Sequence, residues 1–198
     1  MINFFVNGEK IDVELESEQT IGDVLNSFEK TCEENKAAVI GIIIDDRQIT
    51  SDIFDETASL PLKDDTKFEF SVITVQSIKE SFQGLTSLFS ELSEKIEKVP
   101  VEFQKGNNKE AIDSIKTLTD SIEQFCHVAA LASLFPEEFS NTNIEGQNFR
   151  DFFGDFSKIL LDFEQALQAN DTVLIGDLCE YEICPRLQQI SNSLKSIS

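Results

Sequence analysis

The sequence predicts an α+β protein in two parts: a sheet-plus-helix module over residues 1–73, then an all-α four-helix bundle of two αα-hairpins over residues 74–198. Three observations carry this reading. Apolar residues alternate at period two as far as about residue 74 and then recur every three or four positions. Asn7-Gly8 stands between two alternating runs, where both residues tolerate the positive φ of a type I′ hairpin turn. Long helical stripes then follow one another, broken by turn residues at Gly106-Asn107, 135–146 and Asn170-Asp171.

In the first part, Ile2, Phe4 and Val6 form one strand and Ile11, Val13 and Leu15 its hairpin partner. Thr20 caps a helix whose apolar residues Ile21, Val24, Leu25, Phe28 and Cys32 share a face, ending near Asn35. Val39, Ile40 and Ile42 to Ile44 are a β-branched run suited to a central strand covered on at least one side. Asp45-Asp46-Arg47 turns the chain into a short return strand at Gln48-Ile49. Thr50 or Ser51 is then placed to cap a single turn around Ile53-Phe54, and Leu60-Pro61-Leu62 leads to a last strand with Phe68, Phe70 and Val72 at period two.

This order of elements resembles the β-grasp, or ubiquitin-like, fold over residues 1–73, and Thr20-Ile21-Gly22-Asp23-Val24-Leu25 is similar to helix starts in that superfamily. Its sulfur carriers and protein modifiers end in a free Gly-Gly tail activated at the carboxylate. Here Val72-Ile73-Thr74 runs on into a helical stripe, so the resemblance implies a recognition or scaffold module without conjugation chemistry.

The first long stripe is Val75, Ile78, Phe82, Leu85, Phe89, Leu92, Ile96 and Val99; Pro100 is expected to kink or restart it and Gly106-Asn107 to end it. The second is Ala111, Ile115, Leu118, Ile122, Phe125, Ala129 and Ala132, antiparallel to the first. A loop over 135–146 leads to the third, Phe149, Phe152, Phe156, Ile159, Phe163 and Ala166. The fourth is Leu174, Leu178, Tyr181, Leu187, Ile190, Leu194 and Ile197, with a kink expected at Pro185. Two such hairpins bury their stripes against each other as an up-down-up-down bundle. The Asn170-Asp171 turn and the stretch Asp177-Leu178-Cys179-Glu180-Tyr181-Glu182 resemble uncharacterised bacterial proteins that join a β-grasp module to helical hairpins. Proteins of that kind sometimes accompany flagellar components; the likeness supplies no active residues.

The net charge of −21 is shared, with 17 acidic and 6 basic side chains in residues 1–73 and 20 and 10 in the remainder. Such a surface repels phosphate backbones and anionic lipids, which disfavours nucleic-acid and membrane binding and favours basic partners. No basic segment with an apolar run follows Met1, and the stretch Ala37 to Ile44 is too short to span a bilayer. Cys32, Cys126, Cys179 and Cys184 lack zinc or redox spacing and read as reduced thiols, so a cytoplasmic location without cofactor or metal is expected.

No catalytic set is legible. His127 is the one histidine, and its neighbour Cys126 projects about 100° away around a helix, so the two cannot serve as nucleophile and base. The pairs Asp45-Asp46, Asp64-Asp65 and Glu137-Glu138 read as solvated turns, and the glycines form no phosphate loop. More suggestive is a second apolar row beside the third stripe, Phe153, Leu160 and Leu167 at seven-residue spacing, which needs a surface to cover it: the first module or a neighbouring helix on the structural reading, a partner helix on the functional one. The expected function is a non-enzymatic acidic adaptor or export-type chaperone that captures a basic or amphipathic helix. Phe149, Phe152 and Phe153 would be anchors, Leu160 and Leu167 continue the row, and Phe135 and Phe139 stand at the bundle end. A self-associating structural protein, a homo-oligomer through the same face, is the alternative, and a thiol enzyme using Cys32 or His127 the third.

Overall fold

The computed structural model describes residues 2–197, in two compact units, Met1–Ser77 and Ile78–Ser198. The protein is α+β, a five-stranded sheet followed by a helical region.

In the first unit β1 (Asn3–Val6) and β2 (Glu9–Ile11) form a hairpin across Asn7 and Gly8, both at positive φ (50° and 86°). After α1 (Ile21–Glu34) come β3 (Ala37–Ile44), β4 (Arg47–Gln48), the short α2 (Phe54–Ala58) and β5 (Lys67–Thr74). The strand order is β2-β1-β5-β3-β4, with β5 central, parallel to β1 and antiparallel to β3. Asn7 does more than turn the chain. Its side-chain amide donates to Val72 O (3.0 Å) and its carbonyl accepts from Val72 N–H (2.8 Å), extending the β1–β5 ladder past the end of β1.

Thr20 and Asp23 form a reciprocal capping box that starts α1: the hydroxyl accepts from Asp23 N–H (3.1 Å) and the carboxylate from Thr20 N–H (2.9 Å). These bonds hold the Asp23 carboxyl below its usual range. The helix lays Ile21, Val24 and Leu25 on Phe4, Phe68, Phe70 and Ile44. Phe4 stacks on Phe68 at 5.1 Å and Phe28 on Phe70 at 3.9 Å. Gly22 lets α2 approach, since a Cβ there would stand 2.9 Å from the Ala58 carbonyl oxygen. The cap expected from Thr50 or Ser51 is not made. Ile53 is the N-cap of α2 without a side-chain bond, because the Thr50 hydroxyl is taken by the Asp52 carboxylate. The return strand is Arg47–Gln48 rather than Gln48-Ile49, although Ile49 N–H still reaches Ile42 O (2.9 Å).

The helical region comprises α3 (Val75–Lys105), α4 (Asn108–Ala132), the one-turn α5 (Pro136–Phe139), α6 (Phe149–Ala169), α7 (Thr172–Asp177), a π-helical segment (Leu178–Ile183) and α8 (Cys184–Leu194). Ile78, Phe82, Leu85, Phe89, Leu92, Ile96 and Val99 are all buried, so the first stripe is the spine of the second unit's core. Two expectations fail here. Helix α3 continues through Pro100 to Lys105 and ends at Gly106 (φ +80°). The proline forfeits one backbone bond near the C-terminal end, while Ile96 and Val99 beside it stay buried at 0% and 1% exposure. In the fourth stripe, Leu174 and Tyr181 lie exposed, and Ile175, Cys179 and Ile183 are buried in their place. The cause is the π-helical segment, in which Cys184 N–H reaches Cys179 O, five residues back. It takes up one extra residue and so brings Ile175, Cys179 and Ile183 onto the same buried side as Leu187, just before Pro185.

Helices α3 and α8 approach closely where Ser93 Oγ donates to Cys184 O and Cys184 Sγ to Ser93 O, both at 3.3 Å, and where Ser191 Oγ donates to Thr86 O at 2.9 Å.

Candidate functional site

Helices α4 and α6 run beside one another with a groove between them. Helix α6 is fixed at its start by Asn148, whose side chain accepts from Asp151 N–H (2.9 Å) and donates to the Asp151 carboxylate (2.7 Å). Just before it, Ile144 and Gln147 bond each other's backbone across Glu145-Gly146, both at positive φ, and Ile144 is fully buried. Asn170, left-handed at φ 53°, ends the helix. These bounds set which α6 residues face α4.

At one end of the groove is a recess of about 630 Å³. Its α4 wall is made of small side chains, Cys126, Ala129 and Ala130, with the C-cap Ser133 beyond them, and its opposite wall of Phe149 and Phe153, with Phe139 and Pro136 closing the end. Phe125 forms the base. Its ring lies 4.7 Å from Phe153, stacked, and 5.0 Å from Phe149, edge-on. Further along, a channel of about 400 Å³ is lined by Ile115 and Ile122 of α4 and by Leu160, Leu161 and Leu167 of α6.

The seven residues expected to bind a partner therefore separate. Phe139, Phe149 and Phe153 meet at the recess, and Leu160 and Leu167 line the channel. Phe152, at 5% exposure, packs into the core against Phe153 and Phe156. Phe135 is half-buried as the N-cap of α5 and lines neither hollow. Phe139, at 7%, is also a core residue, 6.1 Å from Phe82. The α4 wall does not stand out in the sequence, because Ile115, Ile122 and Ala129 read as part of the buried stripe. Their seven-residue spacing, the same as that of the α6 row, was the available signal.

The groove is poor in charge. Arg150 is the one charged residue lining the recess and Glu164 the one lining the channel. By contrast, the furrow between α3 and α4 is lined by Lys95, Lys98, Glu102, Glu110 and Asp113 among nine residues. In a chain that is 27% charged, the difference marks the α4–α6 face as distinct.

None of the thiols is drawn towards the thiolate. Burial raises the pKa of Cys126 on the groove wall and of Cys32, where Glu29 adds to it; it carries Cys184 to about 11 and Cys179 to about 12. Asp45 and Asp46 are engaged by Lys67, whose backbone N–H donates to Asp45 (2.9 Å) and whose ammonium meets Asp46 (3.2 Å). Among the described residues no three His, Cys, Asp or Glu side chains are placed to hold a metal ion, and no helix is long and apolar enough to cross a membrane.

Residues 80–193, more than half of the chain, match the family described as Domain of unknown function (DUF8042). The chain belongs to that family. Residues 2–74 match a second family, described as TP0873 N-terminal domain. The DUF8042 region thus holds the whole α4–α6 groove, and the other match covers the sheet. An "Uncharacterized protein" of Treponema pallidum (strain Nichols) is 20% identical over 189 residues, covering 96% of this chain and 94% of that protein. No solved structure matches the chain.

Proposed function

We propose that this protein is a non-enzymatic acidic adaptor or export-type chaperone of the cytoplasm, in which a β-grasp module precedes a four-helix bundle that binds a partner helix between α4 and α6. The strand order β2-β1-β5-β3-β4, with parallel β1 and β5 and α1 across one face, supports the β-grasp reading. The mutual packing of α3, α4, α6 and α8 through Phe82, Phe125, Phe149 and Ser191 supports the bundle.

The observation that carries the function is the charge-poor groove on a strongly acidic protein. Desolvating apolar walls stabilises a docked amphipathic helix, while the acidic surroundings steer one with basic flanks. That steering acts over about 10 Å at 0.1 M salt and about 3 Å at 1 M, so association slows as salt rises. The test is cross-linking mass spectrometry in native lysate with wild type and an Ile122→Asp, Leu160→Asp double variant, each checked for helix content. A partner cross-linked to α4 and α6, weakened by salt and lost in the variant, is expected; capture unchanged in a folded variant overturns the reading. Self-association through the same apolar face is the second reading, and only self cross-links, with a scattering mass that rises with concentration, would favour it.

A further inference from the structure

Within that reading, we infer that the recess between Cys126 and Phe149 is the groove's specificity pocket, taking one bulky apolar side chain of the partner helix with a carboxylate within one turn of it, paired to Arg150. The two hollows differ in build. The channel is lined mainly by branched aliphatic side chains, whereas the recess, about 630 against about 400 Å³, has small residues on its α4 side. An aromatic or leucine side chain placed there meets the Phe149 and Phe153 rings opposite Ala129 and Ala130.

Arg150 supplies the polar half of the recognition. It is exposed, and among the described residues its guanidinium forms no ion pair or hydrogen bond, although acidic side chains outnumber basic ones 37 to 16 in the chain. It also stands in the first turn of α6, where a positive charge opposes the helix dipole. A guanidinium kept there beside an otherwise uncharged recess complements a carboxylate from outside the chain. The partner is then basic overall, drawn by the net charge, with one acidic group that fixes its direction in the groove.

A displayed library of helical peptides, panned against the full chain, tests this. The expected consensus has a Phe, Trp, Leu or Met with an Asp or Glu within four positions, and Lys or Arg elsewhere. Filling the recess by Ala130→Trp, at an exposed position, is expected to weaken the selected peptides about tenfold or more. Arg150→Glu is expected to weaken them about tenfold and, on reselection, to exchange the acidic position for a basic one. If both variants leave consensus and affinity unchanged while the Ile122→Asp, Leu160→Asp variant abolishes binding, the pocket assignment is overturned and the groove stands. If no peptide is enriched on the wild-type chain, the groove reading itself fails.

Discussion

Phe153 is both a wall of the groove and a part of the core, and a double-mutant cycle with Phe125 measures how much of each. Phe125 is fully buried and touches the rings of Phe82 (5.9 Å), Phe89 (6.1 Å), Phe149 (5.0 Å) and Phe153 (4.7 Å). Phe125→Ala removes the ring and leaves a cavity lined by four others, a loss of about 3–5 kcal/mol. Phe153→Ala, from a half-buried site, should cost about 2 kcal/mol. Because the two rings stack at an interplanar angle of 28°, part of each loss is the same contact, and the double variant should be less damaged than the sum by about 0.5–1.5 kcal/mol. Urea unfolding followed by far-ultraviolet circular dichroism reads this. With a slope of about 1–3 kcal/mol per molar, Phe125→Ala alone shifts the midpoint by about 1 M or more. Additivity within about 0.3 kcal/mol would refute the stacked placement of Phe153. The cycle has a practical consequence: Phe153→Asp would unseat the core as well as the groove, so Ile122, Leu160 and Ala130 are the sounder positions for binding variants.

Alkaline pH should loosen the helical region through its buried thiols. Cys179 and Cys184 titrate at about 12 and about 11 folded against 9.0 unfolded, so the folded state retains protons that the unfolded state releases. Stability then falls between pH 9 and 11 by up to about 1.4 kcal/mol per pH unit for each thiol, and Cys179→Ala should flatten the fall measured by denaturant midpoint. Gly22→Ala should destabilise the first unit by about 1–3 kcal/mol even though alanine is the better helix former, because its Cβ would stand 2.9 Å from the Ala58 backbone oxygen; a higher melting temperature would refute that close approach. Deleting exposed Glu180 from the π-helical segment should leave the buried faces of α7 and α8 aligned and change stability by about 1 kcal/mol, whereas deleting exposed Lys158 from α6 should swing half its face by about 100° and unfold the unit. Equal damage from the two deletions would refute the extra-residue account.

Features decided by a few adjacent residues were readable in the sequence. The Asn7-Gly8 turn, the Thr20 cap, Gly106 and Asn170 each set the backbone through residues within four positions, whereas the bonds of the Asn7 side chain to Val72, 65 residues on, were not readable. The groove was half legible. On α6 the row Phe153, Leu160, Leu167 stands beside a complete core stripe and shows as surplus. On α4, Ile115, Ile122 and Ala129 lie within the arc that a buried stripe ordinarily occupies, and only the position of α6 decides that they are half-exposed walls rather than core. Ser93 and Ser191 were invisible for a related reason: their burial depends on carbonyls of a helix about a hundred residues away.

The fourth stripe failed because helical periodicity was applied where the helix is not α. A spacing of four overshoots a 3.6-residue turn by about 40°, so Ile175, Cys179, Ile183 and Leu187, three such steps, drift by about 120° and do not share a face in a regular helix. Leu174, Leu178 and Tyr181 satisfy the regular spacing better, but the six-residue step from Tyr181 to Leu187 breaks it. The wide turn absorbs one residue, about 100° of the drift, and brings the first set onto one buried line. What drives that choice is burial: Ile175, Cys179 and Ile183 are each 2% exposed or less, while Leu174 and Tyr181 are left outside. A run of fours, Ile175, Cys179, Ile183 and Leu187, that passes a proline unable to donate a backbone bond is therefore the sequence form of a π-helical turn here.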